Sequence, residues 1–168
     1  MDFAFTSEQD MLRDTVARLV REQYDFDTRR KVAKSEAGWR PEMWSQFAEL
    51  GLLGASFSEA DGGFGGSPIE AMIISEEFGK GLVIEPYLQT VVIGGGFLRY
   101  GGTAAQKEEN LADLIGGERR YAFAYSEPKS RYDLNDVSTT ARKDGKGFAL
   151  HGHKAVATCA PFATHIFV

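Results

Sequence analysis

The chain has 168 residues, 43% of them hydrophobic, and a formal net charge of −5. That length suffices for one hydrophobic core and part of a second, the mild acidity argues against a nucleic-acid surface, and no apolar run approaches the roughly 18 residues of a membrane-spanning helix. The opening Met1-Asp-Phe-Ala-Phe-Thr6 reads without the basic start and apolar centre of a secretion signal, and the lone Cys159 excludes an internal disulfide and suits a reducing cytoplasm.

In chain order, Thr6-Ser-Glu-Gln9 has the capping-box pattern of a helix start. Leu12, Val16, Leu19 and Val20 then recur on one helical face, with Arg13, Asp14, Arg18 and Arg21 on the other. Asp25 or Asp27 can cap a second, basic helix over 28–34. Pro41 suits the first turn of a third helix, whose apolar face is Met43, Trp44, Phe47 and Leu50 and which Gly51 ends.

The glycine-rich stretch Ser56 to Ser67 carries Gly62, Gly63, Gly65 and Gly66, but no Gly-Lys-Ser/Thr follows, which argues against a phosphate-binding loop. Ser67-Pro68 opens a helix that runs through Ile69, Met72 and Ile73 to Gly79. Glu76 and Glu77 lie in it, pointing about 100° apart, so they cannot share one acid–base site; solvation or a cap contact is their expected role. Glu85-Pro86 starts a further helix with Tyr87, Leu88, Val91, Val92 and Leu98. Gly94-Gly-Gly96 lies within it, and each such glycine costs roughly 0.5–1 kcal/mol against alanine, so something must pack closely there. Thr103-Ala-Ala-Gln106 is another capping box, leading into Leu111, Leu114 and Ile115 before Gly116-Gly117.

The pattern switches at Tyr121. Tyr121, Phe123 and Tyr125 alternate with Ala122, Ala124 and Ser126, the period of a strand. Residues 138–143 and 148–151 read as two strands joined by the Asp144-Gly145 turn, and 155–158 and 164–168 as two more. The fold class expected is α+β: an all-α N-terminal helical domain over 1–120, followed by a truncated antiparallel β domain over 121–168. His165-Ile-Phe-Val168 reads as mid-strand, so the natural gene is expected to continue, or the chain to have been trimmed. No complete catalytic set is visible. His151 and His153 could share a strand face, but no cysteine or carboxylate stands at ligand spacing, so no metal is expected. Cys159 reads as a small buried residue.

Tyr121-Ala-Phe-Ala-Tyr-Ser-Glu-Pro128, Ser138-Thr-Thr-Ala-Arg142 and His151-Gly-His-Lys154 with Thr158 resemble the start of the middle domain of flavin-dependent acyl-CoA dehydrogenases. Phe5-Thr-Ser-Glu-Gln9, Leu50-Gly-Leu-Leu-Gly54, Asp61-Gly-Gly-Phe-Gly65 and Glu76-Glu-Phe-Gly79 fall in the family's order as well. The resemblance implies FAD as cofactor and α,β-desaturation of an acyl-CoA thioester, with the α-proton taken by a base and the β-hydrogen leaving as hydride to the flavin nitrogen N5. Phe123, Tyr125 and Ser126 would lie along the flavin ring, Thr158 would bond its edge, and Val156 stands where the family has an aromatic residue. The family's Gly-Ser-Asp turn after Glu-Pro is replaced by Lys129-Ser-Arg-Tyr-Asp133; there Ser130, Arg131 and Tyr132 are the candidate substrate contacts, Arg131 offering charge to a phosphate. The Gly-rich loop would lie near the substrate entrance, and Gly94 to Gly96 against a helix or the acyl chain.

The catalytic base, a glutamate of the family's C-terminal domain, is expected beyond Val168, so this chain should not turn over alone. These departures and Pro86-Tyr-Leu-Gln-Thr-Val-Val-Ile93 resemble the small-subunit type, as in pimeloyl-CoA dehydrogenase. The implied setting is fatty acid metabolism in the cytoplasm, in a homo- or hetero-oligomer of acyl-CoA dehydrogenase subunits with electron-transferring flavoprotein as acceptor. A non-catalytic small subunit or interaction module remains the alternative.

Overall fold

A computed structural model describes residues 4–168; Met1 to Phe3, on which part of the start-of-chain reading falls, lie outside them. The helical part consists of α1 (Ser7–Gln23), α2 (Phe26–Ala33), α3 (Pro41–Glu49), α4 (Pro68–Lys80), a π-helix (Leu88–Gly94), α5 (Gly95–Gly101) and α6 (Ala104–Ile115). Local chemistry sets most of these ends. Thr6 and Gln9 form the reciprocal capping box at α1, and Thr103 and Gln106 repeat it at α6. Ser67 and Glu70 do the same at α4, where Pro68 takes the first turn. Asp25 caps α2 by accepting from the Thr28 amide at 2.9 Å, so that helix starts at Phe26 rather than at 28.

Val16, Leu19 and Val20 of α1, Met43, Trp44 and Phe47 of α3, and Ile74 and Phe78 of α4 meet Leu52, Leu53, Phe57, Leu111 and Leu114 in one core. The Phe47 and Phe78 rings stack at 4.7 Å, Tyr87 meets Phe78 edge-on at 5.3 Å, and the Trp44 indole donates to the Gly117 carbonyl at 2.9 Å. Two expectations change, those for Glu77 and for Leu50. The buried stripe of α4 is Ile73, Ile74, Glu77 and Phe78, while Ile69 and Met72 stay near half exposed. Glu77 is therefore buried rather than solvated, and Lys80 pairs with it at 2.6 Å while also reaching Glu76. Leu50 likewise turns outward past the end of α3.

The segment after Pro86 is not a plain α-helix: Leu88–Gly94 widens into a π-helix before α5 resumes the tighter turn. The glycines there do meet close neighbours. A Cβ on Gly94 would stand 2.6 Å from the Tyr121 side chain and one on Gly95 2.5 Å from the Phe57 ring, whereas Gly96 faces open space. The Gly-rich loop folds back on itself, with Ser58 capping a 3₁₀ turn, Glu59–Asp61, and the Gly65 amide donating to the Phe57 carbonyl.

Four strands follow: β1 (Tyr121–Phe123), β2 (Thr140–Asp144), β3 (Gly147–His151) and β4 (His165–Phe167). β2 and β3 form the antiparallel hairpin around Asp144 to Gly147, and Ser126 and Val156 make a further antiparallel bridge. β1 pairs with β4 in parallel, Tyr121 opposite His165 and Phe123 opposite Phe167. Tyr121 belongs to the helical core and Phe167 packs against it. Thr90 secures that junction. Its side chain is fully buried, accepts from the Tyr121 amide at 3.0 Å and donates to the Tyr121 carbonyl at 3.3 Å. Among the described residues no helix is long and apolar enough to cross a membrane.

Candidate functional site

The β1 edge leads outward from the core along a row of aromatic rings. Tyr121 stacks on Phe167 at 5.1 Å, Phe97 of α5 lies 5.1 Å from Phe167 and 4.7 Å from Phe123, and Phe123 lies 5.2 Å from Tyr125. Tyr121 is buried and Tyr125 is half exposed, so the row runs from the interior to the surface. Ala122 and Ala124 are buried on the other side, and the Ala124 amide donates to the Phe167 carbonyl at 2.8 Å, extending the parallel pairing past Phe123.

The chain then reaches the Ser126-Glu-Pro128 corner. The Ala155 amide donates to the Ser126 carbonyl at 2.7 Å, and Val156, mostly exposed, stands opposite Ser126. Thr158 follows two residues on, exposed, and neither its hydroxyl nor that of Ser126 has a hydrogen-bond partner among the described residues. The segment after Thr158 is anchored to the helical part. Cys159 takes a left-handed backbone (φ 63°), Phe162 stacks on Trp39 at 5.7 Å, and Arg120 donates to the Phe162 carbonyl while its guanidinium covers Trp39.

Glu127, the carboxylate of the Ser-Glu-Pro motif, is turned inward rather than offered to a ligand and is the best-connected residue of the corner. Its side chain is buried. Oε2 accepts from the Ser138 amide at 2.8 Å and from the Ser138 hydroxyl; Oε1 accepts from the Thr139 amide at 2.9 Å, the Thr139 hydroxyl at 2.6 Å and Lys154 Nζ at 2.9 Å. The Ser138 and Thr139 hydroxyls and the Lys154 ammonium hold this carboxyl well below the usual carboxylate range. Lys154 also reaches the Tyr125 carbonyl at 3.4 Å. The signal for this was the glutamate standing between Ser126 and Pro128, with Ser-Thr and Gly-His-Lys segments further along.

The three residues of the substituted turn sit differently from one another. Ser130 is buried, its hydroxyl donating to the Glu127 carbonyl and accepting from the Glu127 amide, both at 3.1 Å. Arg131 is exposed with φ 50°, and Tyr132 is wholly exposed. A cleft of about 530 Å³ opens beside the aromatic row, bounded by Phe97, Asn110, Tyr121, Phe123, His165 and Phe167. Burial pushes the Cys159 thiol up, away from a reactive thiolate.

A family model for the acyl-CoA dehydrogenase N-terminal domain matches residues 6–118. The chain belongs to the acyl-CoA dehydrogenase family. It is 31% identical, over its whole length, to the probable acyl-CoA dehydrogenase YngJ of Bacillus subtilis, of which it covers 44%. It also superposes with a TM-score of 0.83 on a chain of the ChsE4-ChsE5 complex from Mycobacterium tuberculosis, at 25% identity, covering 100% of this chain and 43% of that one. A chain in the solved structure of the electron transferring flavoprotein of Acidaminococcus fermentans gives a TM-score of 0.82 at 27% identity, covering 97% of this chain and 43% of that one. The chain thus spans less than half the length of these relatives. Family members are flavoprotein oxidoreductases, and this chain carries the helical fold and the start of the β region common to them.

Proposed function

We propose that this chain is part of an FAD-dependent acyl-CoA dehydrogenase, with residues 1–120 as its helical domain and 121–168 opening its middle β domain. The whole protein would desaturate an acyl-CoA thioester between its α and β carbons, in fatty acid metabolism in the cytoplasm.

The residues of the corner fit a flavin. The unpartnered hydroxyls of Ser126 and Thr158 match polar ring atoms, and the exposed flank of Tyr125 and Val156 matches an aromatic face. Phe123, Tyr125, Ser126, Val156 and Thr158 would hold the group. When bound, the flavin supplies the two-electron acceptor for the β-hydride. Ser126 and Thr158 orient by donating hydrogen bonds, and the aromatic row behind Phe123 keeps water from that side. Ser130 contributes by closing the turn, since its hydroxyl is already committed to the Glu127 backbone. Arg131 and Tyr132 remain free to meet the phosphates and adenine of coenzyme A. The base that takes the α-proton is to be sought in sequence outside residues 1–168. An electron-transferring flavoprotein would reoxidise the protein, which would work as a homo- or hetero-oligomer.

The observation that carries this reading is the bridge between Ser126 and Val156, the one residue of the expected 155–158 strand that pairs, which brings the corner beside the segment carrying Thr158. The test is to express the complete gene and record its visible spectrum, then add acyl-CoA thioesters of several lengths under anaerobic conditions. A flavin spectrum that bleaches with one of them supports the reading; a colourless protein indifferent to all of them refutes it.

One observation favours a second reading, a non-catalytic small subunit. Position 156 holds a valine where the family has an aromatic residue, which leaves less side chain to pack against a flavin. Co-purification with a larger homologous subunit that holds all the flavin would select it.

A further inference from the structure

We infer that Glu127 is a positioning residue: it sets where Ser126 and the segment of Val156 and Thr158 stand relative to each other, and so shapes the flavin wall. The inference rests on the flavin reading above for its purpose, but the clamp itself is visible in the contacts.

Two separated pieces of chain converge on this one carboxylate, and a third holds its backbone. Residues 138 and 139, entering β2, give it two amides and two hydroxyls. Lys154, two residues before Val156, gives it an ammonium whose side chain is itself only 13% exposed. The corner is tied to it from behind by Ser130, through the Glu127 backbone. Lys154 also contacts the Tyr125 carbonyl, so one cation spans the residues on both sides of Ser126. The Ser126–Val156 pairing is a single bridge with one close backbone hydrogen bond. Such a short contact is too little to hold two segments in register by itself, and the hairpin β2–β3 lends no buried face to help. Register at this edge therefore depends on the carboxylate.

Glutamine at 127 is the informative change. It preserves shape but replaces one acceptor oxygen with an amide NH2 group, a donor that confronts either the donors of residue 138 or those of residue 139 and Lys154. A milder variant, Thr139→Val, removes a single hydroxyl donor and leaves the backbone donor in place. Lys154→Arg keeps the cation.

The complete gene product should be compared in two ways. In flavin-free protein, Glu127→Gln should shift and broaden the amide resonances of Ser126, Ala155 and Val156, with Thr139→Val intermediate and Lys154→Arg near wild type. In binding titrations with FAD, Glu127→Gln should weaken affinity by about tenfold or more and displace the visible flavin band, whereas Lys154→Arg should stay within about threefold. Unchanged Ser126 and Val156 resonances in Glu127→Gln would overturn the inference, as would unaltered FAD affinity and spectrum in that variant. If wild-type protein itself binds no FAD, the functional reading falls, and the resonance comparison still decides whether Glu127 positions the corner.

Discussion

Replacing Thr90 with valine would probe the joint between the helical part and the strand that carries the corner. The substitution keeps the branched shape and removes one oxygen. That oxygen accepts from the Tyr121 amide at 3.0 Å and donates to the Tyr121 carbonyl at 3.3 Å, with Thr90 at 0% and Tyr121 at 3% exposure. Water cannot replace it there. A buried donor left unpaired costs about 1–3 kcal/mol, more than the net worth of the bond itself, so the expected loss is about 2 kcal/mol. For a chain of this size each kcal/mol moves the melting temperature by about 2–4 °C, giving a fall of roughly 4–8 °C by calorimetry. Thr90→Ser is the control. It keeps the hydroxyl and loses one methyl, worth about 1 kcal/mol, so it should be the milder change. Amide exchange at Tyr121 should accelerate in Thr90→Val and not in Thr90→Ser. A valine variant as stable as the serine variant would show that the hydroxyl does not hold β1, and the account of this joint would fail.

Two further outcomes follow from the same geometry. Gly95→Ala drives a methyl toward the Phe57 ring, where the Cβ would stand 2.5 Å away; overpacking of about 1–3 kcal/mol outweighs the roughly 1 kcal/mol gain in helix propensity. Gly96→Ala meets nothing and should stabilise by about 0.5–1 kcal/mol; urea midpoints that rank the pair the other way would contradict the packing. For pH, the Glu127 carboxyl is depressed below its ordinary 4.5 by the Ser138, Thr139 and Lys154 donors. Its contribution to stability is therefore complete above about pH 4.5 and is lost only as the pH falls toward the depressed folded value. Carbon-detected titration should show Glu127 still ionised where the exposed glutamates have taken up protons, and a midpoint in the ordinary range would refute the clamp.

The capping boxes at Thr6 and Thr103, the Asp25 cap and the Pro41 and Pro68 starts were legible because each acts within one helical turn. The switch to strands at Tyr121 was legible because alternation is also a local pattern. Leu50 was misplaced because its spacing continues the apolar face of α3, whereas the helix ends at Glu49 and the chain turns away. At the corner, Ser126, Glu127, Val156 and Thr158 stood out through their resemblance to a family, but the inward turn of the Glu127 carboxylate did not. A carboxylate in a loop gives no sign of its donors when they come from 11, 12 and 27 residues away.

By itself the amino-acid sequence determined the helical first part, the helix starts, the hairpin turn and the composition of the corner, since these depend on residues within a few positions of each other. Tertiary structure alone decided the π-helix that contains Thr90, the parallel pairing of β1 with β4, the aromatic row through Phe97 and Phe167, and the burial of Glu77 and Glu127. Each of those is a contact between segments whose meeting depends on how the whole core closes, and no local pattern of side chains carries that information.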